Sequence, residues 1–313
     1  MRRRLLILLL PVIFSLLSCG IAGAQTVKFS YYNSLIFIPV KVNNVNLLFL
    51  LNTGANASVV DKRIAEKLSL AVTRAVDTVT GTAGKEPVTL VMVKSMAIGT
   101  TVLKNTVVTK RDLGMFITMD GQKIDGVLGT DVLKQFALTI DYNTKRITFQ
   151  RTKVPAANKK RITFDMRDGI PRFEARLNDT LNTFLHMNTG VSILPSKEVH
   201  VNVSPKQWEE LKGLNPHLSP SKYLSGSGVG GGVYLQAVKI NKLELNHNID
   251  IYNSYIILQP KEGYLKGKNA IGFFGNNLLE KYGRVTVDFL ARQIVLPMNS
   301  PVPKKKTIKH KKK

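Results

Sequence analysis

Leu47-Leu48-Phe49-Leu50-Leu51-Asn52-Thr53-Gly54 is an apolar run that stops abruptly on an Asn-Thr-Gly tripeptide, and the tripeptide returns in the second half of the chain. There it closes Leu181-Asn182-Thr183-Phe184-Leu185-His186-Met187-Asn188-Thr189-Gly190. A lone Asn-Thr-Gly is a common loop. What gives this pair weight is the order of the landmarks that follow each copy. Thr80-Gly81-Thr82-Ala83-Gly84 has its counterpart in Ser225-Gly226-Ser227-Gly228. An alternating strand follows each, with Val93-Lys94 in one and Val238-Lys239 in the other. Next come Val127-Leu128-Gly129 and Phe273-Phe274-Gly275. Each half then closes on a similar strand, Leu138-Thr139-Ile140-Asp141-Tyr142 and Val285-Thr286-Val287-Asp288-Phe289. The chain reads as a duplication.

The strand pattern agrees. Residues 27–42 are rich in Val, Ile, Phe and Tyr, residues 88–108 alternate about a turn at Gly99, and residues 137–149 read as a hairpin. Helix patterns are short: 62–70, with Asp61 as its cap, then 131–136 and 206–212. At 313 residues the chain exceeds one ordinary core, and 44% hydrophobic residues argue against wholesale disorder. The reading is a mainly β protein of two units.

An apolar strand ending in x-Thr-Gly, with a hydrophobic-hydrophobic-Gly later in the same half, resembles the lobe signature of pepsin-like and retropepsin-like aspartic peptidases. The resemblance covers 27–150 and 161–297. It implies a two-lobed pepsin-like fold, with lobes at 25–152 and 161–300 and a basic linker at 153–160. It implies that Asn52, Thr53, Gly54 and Asn188, Thr189, Gly190 form two loops meeting at a two-fold axis, each Thr buttressing the opposite loop. It assigns Gly129 and Gly275 a structural role beside those loops. Gly81, Thr82, Gly84 and Gly226, Gly228 become substrate-contacting flaps over the cleft, with one flap or two left open. No cofactor is implied.

The departure from that family falls on the chemistry. Asn52 and Asn188 stand where the family carries its two aspartates. The aspartic dyad shares one proton between close carboxyls, one acting as base toward water and the other as acid; aspartic proteases are a standard instance of that split. A carboxamide has no ionised form and takes no proton from water. The expectation is a pseudopeptidase with a preserved cleft that binds an extended peptide or protein segment. The alternatives are an active aspartic endopeptidase working by other means and a non-enzymatic envelope scaffold. Asp61, Asp125 and Asp131 are the acids near the first loop; the second half has no acid at Gly272 or Asn276. The five histidines lack metal spacing, and His186 reads as a satisfied core residue. Trp208 and Tyr223 read as packing residues.

The ends carry separate expectations. Arg2, Arg3 and Arg4 followed by an apolar stretch read as a signal peptide over 1–24, too short to span a bilayer. Cleavage before Gln25 releases the chain to the periplasm or beyond; a lipobox reading ending on Cys19 makes it an envelope-anchored lipoprotein. With one cysteine there is no internal disulfide to form. Of the net charge of +24, removing those three arginines and the seven lysines of the disordered basic tail 301–313 leaves +14. Such a surface attracts anionic envelope polymers or lipid headgroups, and export argues against nucleic acid as partner.

Overall fold

The computed structural model describes residues 24–81, 84–114, 121–155, 159–192, 198–228, 231–260, 265, 267 and 269–297. Cys19, Thr82 and the tail at 301–313 lie outside the described residues. The first half runs β1 (Gln25–Lys28), β2 (Ser30–Tyr32), β3 (Leu35–Val42), β4 (Val45–Leu51), β5 (Val59–Asp61), α1 (Lys62–Lys67), β6 (Ala71–Gly81), β7 (Gly84–Ile98), β8 (Thr101–Arg111), β9 (Gly126–Leu128), α2 (Thr130–Leu133), β10 (Ala137–Asp141) and β11 (Arg146–Gln150). The second half runs β12 (Lys160–Thr163), β13 (Asp165–Arg167), β14 (Ile170–Leu177), β15 (Leu181–Met187), β16 (His200–Val203), α3 (Pro205–Leu214), β17 (Lys222–Gly228), β18 (Gly231–Leu245), β19 (Ile249–Leu258), β20 (Gly272–Phe274), α4 (Asn276–Leu279), β21 (Arg284–Asp288) and β22 (Gln293–Leu296).

The duplication is complete at the level of topology. One eight-stranded sheet has the order β2-β3-β4-β9-β5-β8-β7-β6 and the other β13-β14-β15-β20-β16-β19-β18-β17. These are the same path through equivalent strands. In each, the strand leading to Asn-Thr-Gly pairs in parallel with the short strand of the later hydrophobic pair. Leu51 sits opposite Leu128, and Met187 opposite Phe274.

Turn chemistry explains how so many hairpins close without long loops. Asn33 and Ser34 both have positive φ between β2 and β3, and Asp168 and Gly169 repeat the conformation between β13 and β14. Asn43 and Asn44 do the same before β4, as do Asn178 and Asp179 before β15. Two consecutive left-handed residues give the tight turn whose twist matches paired strands, and Asn and Asp tolerate it best after Gly. The run at 27–42 thus holds the end of β1, then β2 and β3, with the 33–34 turn between the last two.

A third, six-stranded sheet of order β1-β11-β10-β21-β22-β12 joins the halves. Its two central strands are the matched closing strands of each half. Thr139 faces Thr286 there, with hydroxyl oxygens 2.9 Å apart and both residues buried. Below this sheet lies one continuous core that draws on both lobes. Phe164 packs on Phe173 (5.3 Å between ring centres) and on Phe289 (5.9 Å), and Phe173 packs on Phe274 (5.2 Å). Fully burying such a ring stabilises the fold by about 1.5–3 kcal/mol.

Two further bridges lie at the starts of α2 and α4. The Thr130 hydroxyl donates to Gly169 O, in the β13–β14 turn of the other half, at 2.6 Å. At the equivalent position Asn276 Nδ2 donates to Ser34 O, in the β2–β3 turn, at 2.7 Å. The Asn276 amide also donates to Thr189 O (3.0 Å) and accepts from Tyr142 OH (2.8 Å). Asn276 is fully buried, so its removal orphans partners that water cannot reach. We predict that Asn276→Leu costs about 3 kcal/mol in urea-induced unfolding, whereas Thr26→Val, at an exposed hydroxyl pair, costs under about 0.5 kcal/mol. Equal losses would show that the buried bridge contributes no more than an exposed hydroxyl pair.

Candidate functional site

Each Asn-Thr-Gly loop begins where its strand runs out of antiparallel partners and is caught by the parallel neighbour. Asn52 N–H donates to Leu128 O at 3.0 Å, and Asn188 N–H donates to Phe274 O at 2.8 Å. The threonines then lock the loops to each other. Thr53 N–H donates to Thr189 Oγ1 (3.0 Å) and Thr189 N–H donates to Thr53 Oγ1 (3.1 Å). Each hydroxyl donates a hydrogen bond to the strand end of the opposite lobe, Thr53 to Met187 O and Thr189 to Leu51 O, both at 2.9 Å. Thr53 is 1% exposed and Thr189 0%. Four hydrogen bonds sealed from water therefore hold the two loops back to back.

The asparagines sit half-buried above this lattice. Gly54 N–H donates to Asn52 Oδ1 at 2.8 Å, and Gly190 N–H donates to Asn188 Oδ1 at 3.0 Å. The carboxamides nearly touch the opposite loops. A Cβ at Gly54 would lie 2.2 Å from Asn188 Cγ, and one at Gly190 2.3 Å from Asn52 Cγ. Glycine is required here by the close approach of two loops. Gly129 supports the first loop, since a Cβ there would sit 2.7 Å from the Ala57 carbonyl. Gly275 is less tight, 3.1 Å from Asn188 O.

Sequence reasoning passed over a tighter pair. A Cβ at Gly126 would enter the Phe49 ring at 2.3 Å, and one at Gly272 would meet Asn202 O at 1.9 Å. These residues start β9 and β20, and the signal was present in their matched positions three residues before Gly129 and Gly275.

The neighbouring acids are committed elsewhere. Asp61 caps α1 through Arg63 N–H (2.9 Å) and also accepts from Leu113 N–H (2.9 Å). Asp125 accepts from Leu48 N–H (2.9 Å), and Asp131 takes both Ser58 N–H (2.9 Å) and Ser58 Oγ–H (2.7 Å). Each carboxylate satisfies buried backbone. His186 is 7% exposed, with Nδ1 3.2 Å from Pro171 O, and burial lowers its pKa. His200 stacks on Tyr255 and is lowered in the same way, by burial first and the nearby Lys222 charge second. No group of three or more His, Cys, Asp or Glu suited to a metal occurs among the described residues.

Each lobe carries a long hairpin of the kind expected for a flap. β6 and β7 pair from Ala71↔Met92 to Gly81↔Gly84, and β17 and β18 pair from Lys222↔Ala237 to Gly228↔Gly231. Gly81, Gly84, Gly226 and Gly228 all lie in the distal arms of these hairpins. Tyr223 does not pack, contrary to the sequence reading: it is 78% exposed on β17, and Tyr234 on the paired strand is 94% exposed. Trp208 does pack against the core from α3.

Residues 38–132 match the family model for aspartyl protease, a span that includes Asn52, Thr53 and Gly54. Among solved structures, the aspartic proteinase from Irpex lacteus superposes with a TM-score of 0.56 at 12% identity, covering 90% of this chain and 100% of its own. This chain folds as a pepsin-like aspartic protease. A retropepsin-like aspartic protease from Rickettsia conorii is 24% identical over 41% of this chain and 89% of its own, with a TM-score of 0.30. No curated protein is significantly similar in sequence. In the aspartic-protease fold seen here, the loops at 52–54 and 188–190 are the ones brought together across the two halves.

The threonine lattice generates a test. Thr53→Val keeps the shape but leaves Thr189 N–H and Met187 O without partners, and Thr189→Val does the same to Thr53 N–H and Leu51 O. Each single substitution is expected to lower unfolding free energy by about 2 kcal/mol. Because the two residues are in direct contact, the double substitution should depart from the sum of the singles by about 0.5 kcal/mol or more. Strict additivity in chemical denaturation would show that the two threonines act independently.

Proposed function

We propose that this protein is a non-hydrolysing aspartic-peptidase relative that binds an extended peptide or protein segment in the cleft between its lobes. The observation that carries the reading is the pair of carboxamides at the dyad positions, held in place by their own glycine N–H groups. The positioning is retained and the proton chemistry is removed. Hydrolysis needs a base to deprotonate water and an acid to protonate the substrate carbonyl, and an amide does neither near neutral pH. Asp61, Asp125 and Asp131 do not fill the gap, since each is engaged in holding backbone. The paired hairpins, one per lobe, supply cover for a chain-like ligand. We place the protein outside the cytoplasm, on the arginine-led apolar stretch at its start.

The discriminating experiment is hydrolysis of a denatured protein from pH 3 to 8. It compares the native chain with the double substitution Asn52→Asp and Asn188→Asp, each with and without a statine-type transition-state analogue. The native chain is expected to leave substrate intact at every pH. The reverted chain should cut at acidic pH, where a close carboxyl pair shares one proton, with a gain on the order of 10²–10⁴-fold over native. The analogue should abolish that gain. Turnover by the native chain, sensitive to the same analogue, would overturn the reading.

A further inference from the structure

The orientation of each dyad-position amide is dictated by its own loop. The oxygens Asn52 Oδ1 and Asn188 Oδ1 accept the Gly54 and Gly190 N–H groups. Turning either amide over would set an NH2 group against an N–H donor, so the nitrogens are the free ends. Neither Nδ2 has a hydrogen-bond partner among the described residues. Ala55 and Val191, which follow the two glycines, bring no side-chain acceptor. Each amide group abuts the glycine of the other loop, so the two carboxamides lie close across the axis, each with its NH2 group unpartnered. Two donors without acceptors, one from each loop, are the inverse of a carboxylate dyad, which presents acceptors and carries charge.

We infer that the Asn52–Asn188 pair is a receptor for an anionic oxygen acceptor, and that its occupant is the C-terminal carboxylate of a bound peptide. The inference rests on the peptide-cleft reading above. A carboxylate has two oxygens, one for each amide, whereas an internal peptide carbonyl has a single oxygen to share between them. Hydrogen bonds to an ionised acceptor are about twice as strong as neutral ones. An aspartate pair holding one negative charge would repel that ligand; two amides are neutral at every ordinary pH. The charge of +14 that remains outside the leading arginines and the tail lysines draws anions toward the protein as a whole.

The test uses a pool of random N-acetylated hexapeptides made in two forms, free acid and C-terminal amide, with retention on the immobilised protein quantified by mass spectrometry. Native protein should retain the acid pool about tenfold more strongly than the amide pool, equivalent to ~1.4 kcal/mol. The preference should hold from pH 5 to 8 and vanish below about pH 3, where peptide carboxyls protonate. The double substitution Asn52→Asp and Asn188→Asp should reverse it at pH 7. Asn52→Ala, which removes one donor and adds no charge, should shrink the acid-over-amide preference. A preference that persists unaltered in these variants would belong to the basic surface and would overturn the inference. Equal retention of both pools by native protein would overturn it too, while leaving the peptide cleft standing. Retention of neither pool would overturn the cleft reading and this inference together.

Discussion

The reciprocal hydrogen bonds between Thr53 and Thr189 are the constraint on which the architecture turns. Two loops from opposite halves must meet in a dry interior, and each brings backbone donors and acceptors that burial would otherwise leave unpaired. A threonine serves both needs, accepting the opposite N–H and donating to the opposite strand end. Once that lattice is set, the glycine after each threonine is required, because the other loop's amide occupies the space a side chain would need. The parallel strands β9 and β20 must then pass close alongside, which is where Gly126 and Gly272 are needed in turn. The six-stranded sheet holds the same axis from below through Thr139 and Thr286.

The duplication, the β class and the axis loops were all legible in the sequence, because short identical tripeptides in a repeated order leave little room for another arrangement. The strands after the glycine turns, β7 and β18, were legible as alternation. Other features were not, for physical reasons. Thr130 and Asn276 are equivalent positions doing one job, bonding to the carbonyl of the opposite 2-residue turn, yet they share no side-chain chemistry that a comparison of halves would flag. Their partners, Ser34 O and Gly169 O, are backbone atoms, and backbone leaves no trace in residue identity. Tyr223 misled for a different reason. Aromatic residues are usually buried, but this one sits on a hairpin arm that extends away from the core, where alternation gives an exposed face on either side.

The surrounding acids are occupied in holding the fold. Asp61, Asp125 and Asp131 all lie in the first half, close to its loop, and all are consumed by backbone amides. In the second half the equivalents are uncharged: Asn277 stands where Asp131 does and donates to His200 O instead. Among the described residues, charge near the axis is therefore structural and one-sided.

Replacing both acids also changes the physics of holding the loops together. Two carboxyls pressed this close cannot both ionise, so an acid pair ties the geometry of the axis to the retention of a proton. Amides remove that condition. Asn52 and Asn188 keep the bond to the following glycine N–H that an aspartate would make, and they impose no charge on a half-buried site. Desolvating a neutral amide costs far less than desolvating a carboxylate, so the same loop geometry is held with less electrostatic penalty. The lobes can then meet on the axis at any ordinary pH.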